Sequence, residues 1–476
     1  MRRYFLVLCL AAGVFALRAQ PSLFTNLDVG VGGPVLCMQN DTLHGDLYLG
    51  GGMFGLLYGP YSPGVVRWDG SQLHTVGCGF EYDCVDTLFG GGLGVPVRDL
   101  EQWNGSLFAG GDFDQSLNVY VNHVARWEDP LWQPLQDGLD GPVYSLRALP
   151  DGLYAAGWFE FANDTLAVNG LARWDGTTWH KVHDLPRLNP LDINRINDVA
   201  QYQGEIYIGG NFSGTNGRRD IAKWNGTEWV DVNGGFLGVF SSVNKLEVHD
   251  GLLYVAGSFA NYPPNGHPDN PGSGILTYDG TNWAELDGGT TGSSNPSVFS
   301  MVWIRDTLYA SGRFHYIGGV LTGRVARWDG VHWCSLVPFD YFYPDIGPVG
   351  SFRDTLYVGG SFVVAGPDSI NRVAKWVAGN YTDSCSFDVG IAEPPGLSDV
   401  LLFPNPATDH VMLGALPNAA RYVSFYDALG RVVFVERIPI DGRIALTALA
   451  PGHYVLTLTD PDGRPLARGR LVVQRE

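Results

Sequence analysis

Most of the chain alternates apolar and polar positions in short runs, each closed by Asp-Gly, Asn-Gly or a similar pair. A representative stretch reads PVYSLRAL, then GLYAAGWF after Asp151-Gly152, then NGLARWD, then TTWHKV. A period of two over such runs predicts β-strands half-buried on one face. Asp-Gly and Asn-Gly accept the positive φ of tight hairpin turns, so each block of this kind predicts a four-stranded antiparallel unit. Sustained helical periodicity is lacking.

The block recurs. Its third run appears as VRWDG, ARWED, ARWDG, AKWNG, LTYDG, ARWDG and AKWVAG, centred on Trp68, Trp127, Trp174, Trp224, Tyr278, Trp328 and Trp376. A second anchor precedes each: LYLGGGMF, LFAGGDF, LYAAGWF, IYIGGNF, LYVAGSF, LYASGRF and LYVGGSF. Strict alternation of the two anchors gives seven units. Seven short four-stranded units predict an all-β chain folded as a seven-bladed β-propeller over residues 21–387. The segment SLFTNLDVGVGGPV (Ser22–Val35) aligns without gaps to PLWQPLQDGLDGPV (Pro130–Val143), with Phe24 in the place of Trp132. The chain thus opens with a fourth strand lacking its first three, and that strand is expected to complete the last unit. The local segment NYTDSCSF competes for the same seat. Because the Arg173-Trp174-Asp175 pattern is copied along the chain, it reads as core packing around a hairpin turn, with Arg173 over an aromatic ring or in an ion pair.

Composition refines the picture. Charged residues are 17% of the chain and the formal net charge is −19, which argues against a nucleic-acid partner. The first twenty residues read as a secretory signal: Arg2 and Arg3, an apolar core from Tyr4 to Leu17, then Ala19 before a cleavage at Gln20. No later stretch approaches membrane length. Export permits disulfides among Cys37, Cys78, Cys84, Cys334 and Cys385. Cys78 and Cys84, closing a short loop, are the first pairing expected and Cys334 with Cys385 the second, leaving Cys37 over. No spacing suits zinc, and no metal site is expected.

The repeat resembles the Gly/Trp, kelch-like repeats of secreted bacterial propellers, and similar units occur in a fungal cell-polarity surface family. That resemblance implies a fold and no activity. The turn DGTTW also resembles the sialidase Asp-box, but lacks the residue that box places between Asp and Gly. Beyond a Pro-rich linker at 388–399 the Trp repeat stops. Residues 400–476 carry FPNP, FYDALGR, LTALAPGHYVL and GRLVV. Together these resemble the type A sorting domain of the Bacteroidetes type IX secretion system, through Pro404, Asn405, Pro406, Asp427, Gly430, Arg431, Gly452 and Tyr454. The resemblance implies a small Ig-like β-sandwich recognised by the type IX machinery. It also implies a passenger that is secreted or attached to the outer-membrane surface.

The connections show where chemistry can sit. First-to-second and third-to-fourth turns are tight, whereas the other connections are long and, by topology, share one face. That face is the expected binding surface, with Tyr341, Phe342 and Tyr343 as exposed aromatics for a glycan or a surface protein, or else as caps on the core. The first strand of each unit should line a central channel, placing Cys37, Asp99, Ser145, Asp198, Lys245, Ser300 and Ser351 at aligned positions. Asp99, Asp198 and Lys245 could hold a polar ligand there, or neutralise one another. No cofactor is expected, with calcium left open. His180 and His183 sit three apart on a strand and face opposite ways, and no nucleophile elbow, HExxH or P-loop is present. Five DTL triplets, at Asp41, Asp86, Asp164, Asp306 and Asp354, resemble the Bacteroidetes O-glycosylation pattern and equally suit turns. The expected function is a non-catalytic binding or adhesion module delivered by type IX secretion. The alternative is a secreted polysaccharide hydrolase or lyase using acidic residues of the long-loop face or the channel.

Overall fold

The computed structural model describes residues 23–474 except 53–54, 58–61, 78–95, 187–193, 214–218, 233–236, 261–272, 292, 294–295, 338–341, 344, 366–367, 379–397, 406, 415, 417–418, 427–431, 440, 448 and 462–464. The expected signal segment, Cys78, Cys84 and Cys385 therefore lie outside the described residues. The chain is all-β, and no helix occurs among the described residues. It divides into two compact units, Met1–Cys385 and Ser386–Glu476.

Among the described residues, the first unit contains seven four-stranded antiparallel sheets. The third sheet is typical, with strands Val143–Leu149, Gly152–Gly157, Leu171–Trp174 and Trp179–Lys181 in spatial order. The innermost strands of the seven sheets begin at Val35, Val97, Val143, Arg195, Leu237, Ser297 and Ile346. Each touches the innermost strands of its two neighbours, and the seventh touches the first, so the arrangement closes on itself in a propeller-like ring.

The copied tryptophans are the mortar of these sheets. Trp127 pairs with Trp132, Trp174 with Trp179, Trp224 with Trp229 and Trp328 with Trp333, directly opposite across the outer hairpin. Their ring centroids lie 5.2 to 5.9 Å apart, within the range where tilted aromatic pairs attract beyond simple burial. Between them the turn aspartate accepts from the following backbone: Asp175 Oδ1 takes the N–H groups of Thr177 and Thr178. Arg173 resolves as an ion pair with Asp151 and a donor to that residue's carbonyl.

Closure is made by the N-terminus. Phe24–Asn26 pairs antiparallel with Val373–Trp376 as the outermost strand of the seventh sheet, with Phe24 opposite Trp376. This is the register in which Trp132 faces Trp127. Cys334 is disulfide-bonded, and Cys37 is a free, buried thiol.

The second unit stacks a five-stranded sheet and a three-stranded sheet (Leu401–Phe403, His410–Gly414, Arg443–Ala445) over one core that includes Val411, Phe425, Ile444, Leu456 and Leu471. No helix of the described residues is long and apolar enough to cross a membrane.

Candidate functional site

The site begins with a glycine. The second residue of every Gly-Gly, Ala-Gly or Ser-Gly pair in the second strands is glycine. In the third sheet, a Cβ on Gly157 would stand 2.1 Å from the Pro142 carbonyl oxygen. Gly210, Gly257 and Gly312 meet the same obstacle at 2.1 Å from Arg195, Ser242 and Ser297. The backbone that crowds them is a β-bulge in the innermost strand. The pairing slips by one residue between Val35 and Cys37, Val97 and Asp99, Val143 and Ser145, Ile196 and Asp198, Val243 and Lys245, and Val298 and Ser300. A bulge leaves one residue unpaired and re-aims its side chain.

That extra residue sits near the start of the innermost strand, on the side of the long connections. In the first six sheets it is Leu36, Arg98, Tyr144, Asn197, Asn244 and Phe299. The residue before it is a fully buried aliphatic in each case, whereas all six bulge residues are partly or fully exposed. One repeat position thus serves the core uniformly while its neighbour varies in size and charge around the mouth of the channel. The next exposed position, after the paired glycines, adds to this rim. Asp112 receives the Arg98 guanidinium at 2.5 and 2.6 Å, Trp158 is 43% exposed, and Arg313 lies 5.6 Å from the Phe299 ring centroid.

In the seventh sheet the slip spans Ile346 to Val349, so the residue aligned with Asp99 is Pro348. Ser351 pairs with Leu356 as Gln102 pairs with Leu107, three positions further along. The sequence alignment that placed Ser351 with Asp99 is corrected: the slip has the same one-residue length here as in the second sheet, and Ser351 lies three residues too far along the strand.

Below the mouth, a cavity of about 550 Å³ is lined by Cys37, Asp99, Glu101, Arg147, Lys245 and Glu247 among others. Asp198 is fully buried and saturated with donors. Arg147 reaches both its oxygens at 3.1 and 3.0 Å, Ser145 donates at 2.6 Å, and the N–H groups of Val199 and Leu246 donate at 2.9 Å. Burial acts to raise its pKa, but Arg147, Lys245 and these hydrogen bonds hold it well below the usual carboxylate range. Asp99 joins the second sheet to the third, taking the N–H of Leu100 and, across the junction, that of Leu146, while burial pushes its carboxyl pKa up. Both aspartates staple one sheet to the next. Asp198 is held by Arg147 and Lys245, in keeping with the alternative that these channel charges neutralise one another.

Lys245 stands 3.7 Å from Asp198. Glu101 also lines the cavity and is sparsely hydrogen-bonded. Its one hydrogen bond is from the Ala148 N–H at 3.4 Å, and burial, opposed by Arg147 and reinforced by Asp99, pushes its pKa up to about 7. Its signal was the i+2 alternation from Asp99 on the same strand. The Cys37 thiol is pushed far up by burial and by Asp99, so it stays protonated.

Of the aromatics expected on the long-loop face, Phe342 is buried at 1% exposure, edge-on to Phe24 at 5.2 Å and against Phe362 at 4.9 Å. It is a core residue because its short strand pairs with Val364–Ala365 and turns the ring inward. Tyr341 and the Tyr343 side chain lie outside the described residues. Among the described residues no group of three or more His, Cys, Asp or Glu gathers to hold a metal. Asp41, Asp164, Asp306 and Asp354 of the DTL triplets occupy or flank turns, and Asp86 lies outside the described residues.

In the second unit, Asn405 clamps the first strands to the last: Nδ2 donates to the Arg470 carbonyl at 2.7 Å and Oδ1 accepts from the Val472 N–H at 2.9 Å. The Tyr454 hydroxyl donates to the Ala450 carbonyl across the Pro-Gly turn, and Gly452 begins the strand that follows. Pro404 directly precedes this clamp, while Pro406, Asp427, Gly430 and Arg431 lie outside the described residues.

Residues 401–473 match the family model of the secretion system C-terminal sorting domain. No curated protein matches the chain. Among solved structures, the chain is similar to PorZ, described as an essential bacterial surface component of the type IX secretion system of Porphyromonas gingivalis. The identity is 16% over 96% of this chain and 61% of that one, with a TM-score of 0.45. It is also similar to the extracellular domain of the one-component system BT4673 from B. thetaiotaomicron (12% identity, 96% and 60% coverage, TM-score 0.44). A third match is the computationally designed protein Ika8 (12% identity, 74% and 98% coverage, TM-score 0.43). The chain spans about three fifths of the length of the first two structures. The sorting tail implies export to the cell surface or beyond by the type IX machinery.

Proposed function

We propose that the chain is a secreted or outer-membrane surface-attached seven-bladed β-propeller, carried out through its C-terminal Ig-like sandwich, that binds a ligand without turning it over. The seven four-stranded sheets are read as its blades, and residues 21–387, 388–399 and 400–476 as passenger, linker and sorting domain. The observation that carries the binding reading is the bulge ring. Its geometry repeats in six sheets, yet its side chains are of five kinds (Leu, Arg, Tyr, Asn twice and Phe), while the positions beside them stay aliphatic. A repeat position relieved of packing and varied around one opening is what a recognition surface requires. The ligand expected is a glycan or a surface protein. Saturation of Asp198 by donors supports the non-catalytic reading.

A second reading, a polysaccharide hydrolase or lyase, is favoured by one observation: Glu101 holds a proton near neutral pH, as a general acid must. Screening the mature chain against polysaccharides, for binding and for product release, with and without calcium, separates the two. Binding without product supports the module, and product release overturns it in favour of Glu101.

A further inference from the structure

One row of side chains on the rim spans three sheets. Tyr144, at the bulge of the third sheet, has the guanidinium of Arg98 from the second sheet and that of Arg195 from the fourth each 5.1 Å from its ring centroid. The two arginines differ in what they have left to offer. Arg98 is spent on Asp112 through two short parallel hydrogen bonds. Arg195 is exposed, and no carboxylate among the described residues pairs with it. Stacking on a phenol fixes a guanidinium in orientation while leaving its in-plane N–H fork free, the geometry that receives a carboxylate or sulfate bidentately.

A hollow of about 300 Å³ opens beside this row, lined also by Leu36, Asn197, Ser242 and Asn244. The amide nitrogens of Asn197 and Asn244 are committed inward, to the Val243 and Val298 carbonyls at 2.8 and 2.9 Å. The Asn197 amide oxygen therefore remains as an acceptor for a hydroxyl group, and that of Asn244, which takes the Ser242 hydroxyl at 3.5 Å, keeps a second lone pair. A fixed anion fork, two hydroxyl acceptors and the half-exposed apolar Leu36 together describe a saccharide bearing an acid group.

Building on the binding function proposed above, we infer that the channel mouth takes an anionic saccharide, its carboxylate or sulfate held by Arg195 on the Arg98–Tyr144–Arg195 row. Calorimetric titration of the mature chain with tetragalacturonate, its full methyl ester, a sulfated galactan tetrasaccharide and a neutral galactan tetrasaccharide tests this. The expected result is binding of the carboxylated or the sulfated sugar, whichever carries the matching anion, at least tenfold tighter than the uncharged ones. Arg195→Gln should abolish that preference with the melting temperature unchanged, and Arg195→Lys should restore part of it. Acidic and neutral sugars bound alike, with Arg195→Gln silent, would overturn the anion assignment while leaving a glycan-binding module intact. Failure to bind any of the four would overturn the saccharide assignment, and capture of a protein by the same mouth would then be the surviving form of the binding reading.

Discussion

Phe24 stands edge-on to Trp376 at 5.0 Å, joining the start of the ring to its end across 352 residues of chain (376 minus 24). Phe24 also touches Phe342, so a single ring ties the closing strand to the seventh sheet's neighbouring hairpin.

Truncation at this point should therefore loosen the whole ring. Phe24→Ala is expected to cost about 3–5 kcal/mol, as for other buried phenylalanines, read as a lower chemical-denaturation midpoint of the first unit. Phe24→Trp, the residue found in the equivalent place at Trp132, should retain most of the stability.

Asp198 is the heaviest electrostatic joint. Asp198→Asn removes the nearer of two carboxylates on Arg147, leaving Glu247 at 3.3 Å, and should destabilise by about 3 kcal/mol. The contribution has a definite pH sign. The folded pKa lies below the unfolded value of 3.8, so the stabilisation is present above the unfolded value and lost as pH falls through the folded one. Denaturation midpoints of the native protein and the variant should converge only in strong acid.

Glu101 has the opposite sign. Its folded pKa of about 7 exceeds the ordinary glutamate value of 4.5, so the native state holds a proton that the unfolded chain has released between those values. Stability should fall across that window and level off above it, by on the order of 2–3 kcal/mol. Glu101→Gln should remove this decline, making the variant more stable than the parent at pH 8 and nearly equal at pH 4. A decline that persists in Glu101→Gln would assign it to another group.

The cysteines give a chemical check. Cys334 is disulfide-bonded, and we predict Cys385 as its partner, with Cys37 protected from alkylation until the protein unfolds. Peptide mapping without reduction decides the pairing.

The repeat was legible because its periodicity is local: Trp174 and Trp179 lie five residues apart, and the hairpin between them is written in Asp175-Gly176. Closure was legible because Phe24 occupies a tryptophan's place in an otherwise gapless alignment. The bulge was written too, in the invariant second glycine at Gly157 and its equivalents, but its meaning lay in a carbonyl fifteen residues upstream, at Pro142. Counting twelve residues back from that glycine reaches Asp99 from Gly111 and Pro348 from Gly360, so Pro348, not Ser351, stands in register with Asp99. The roles of Asp99 and Asp198 escaped the sequence because their donors, Leu146 and Leu246, belong to the next sheet. Arg195 carried no pattern at all; only the ring brings it to Tyr144.

The measurement that bears most directly on the account is binding of the mature chain to arrayed glycans and to intact cell-surface material. Three forms should be compared: the parent, a mouth variant (Tyr144→Ala with Phe299→Ala), and a variant of the tight-turn face (Arg305→Ala with Val331→Ala). The account predicts that the mouth variant loses at least tenfold in binding, that the tight-turn variant matches the parent, and that no form releases product. Equal binding by all three, or loss confined to the tight-turn variant, would contradict it.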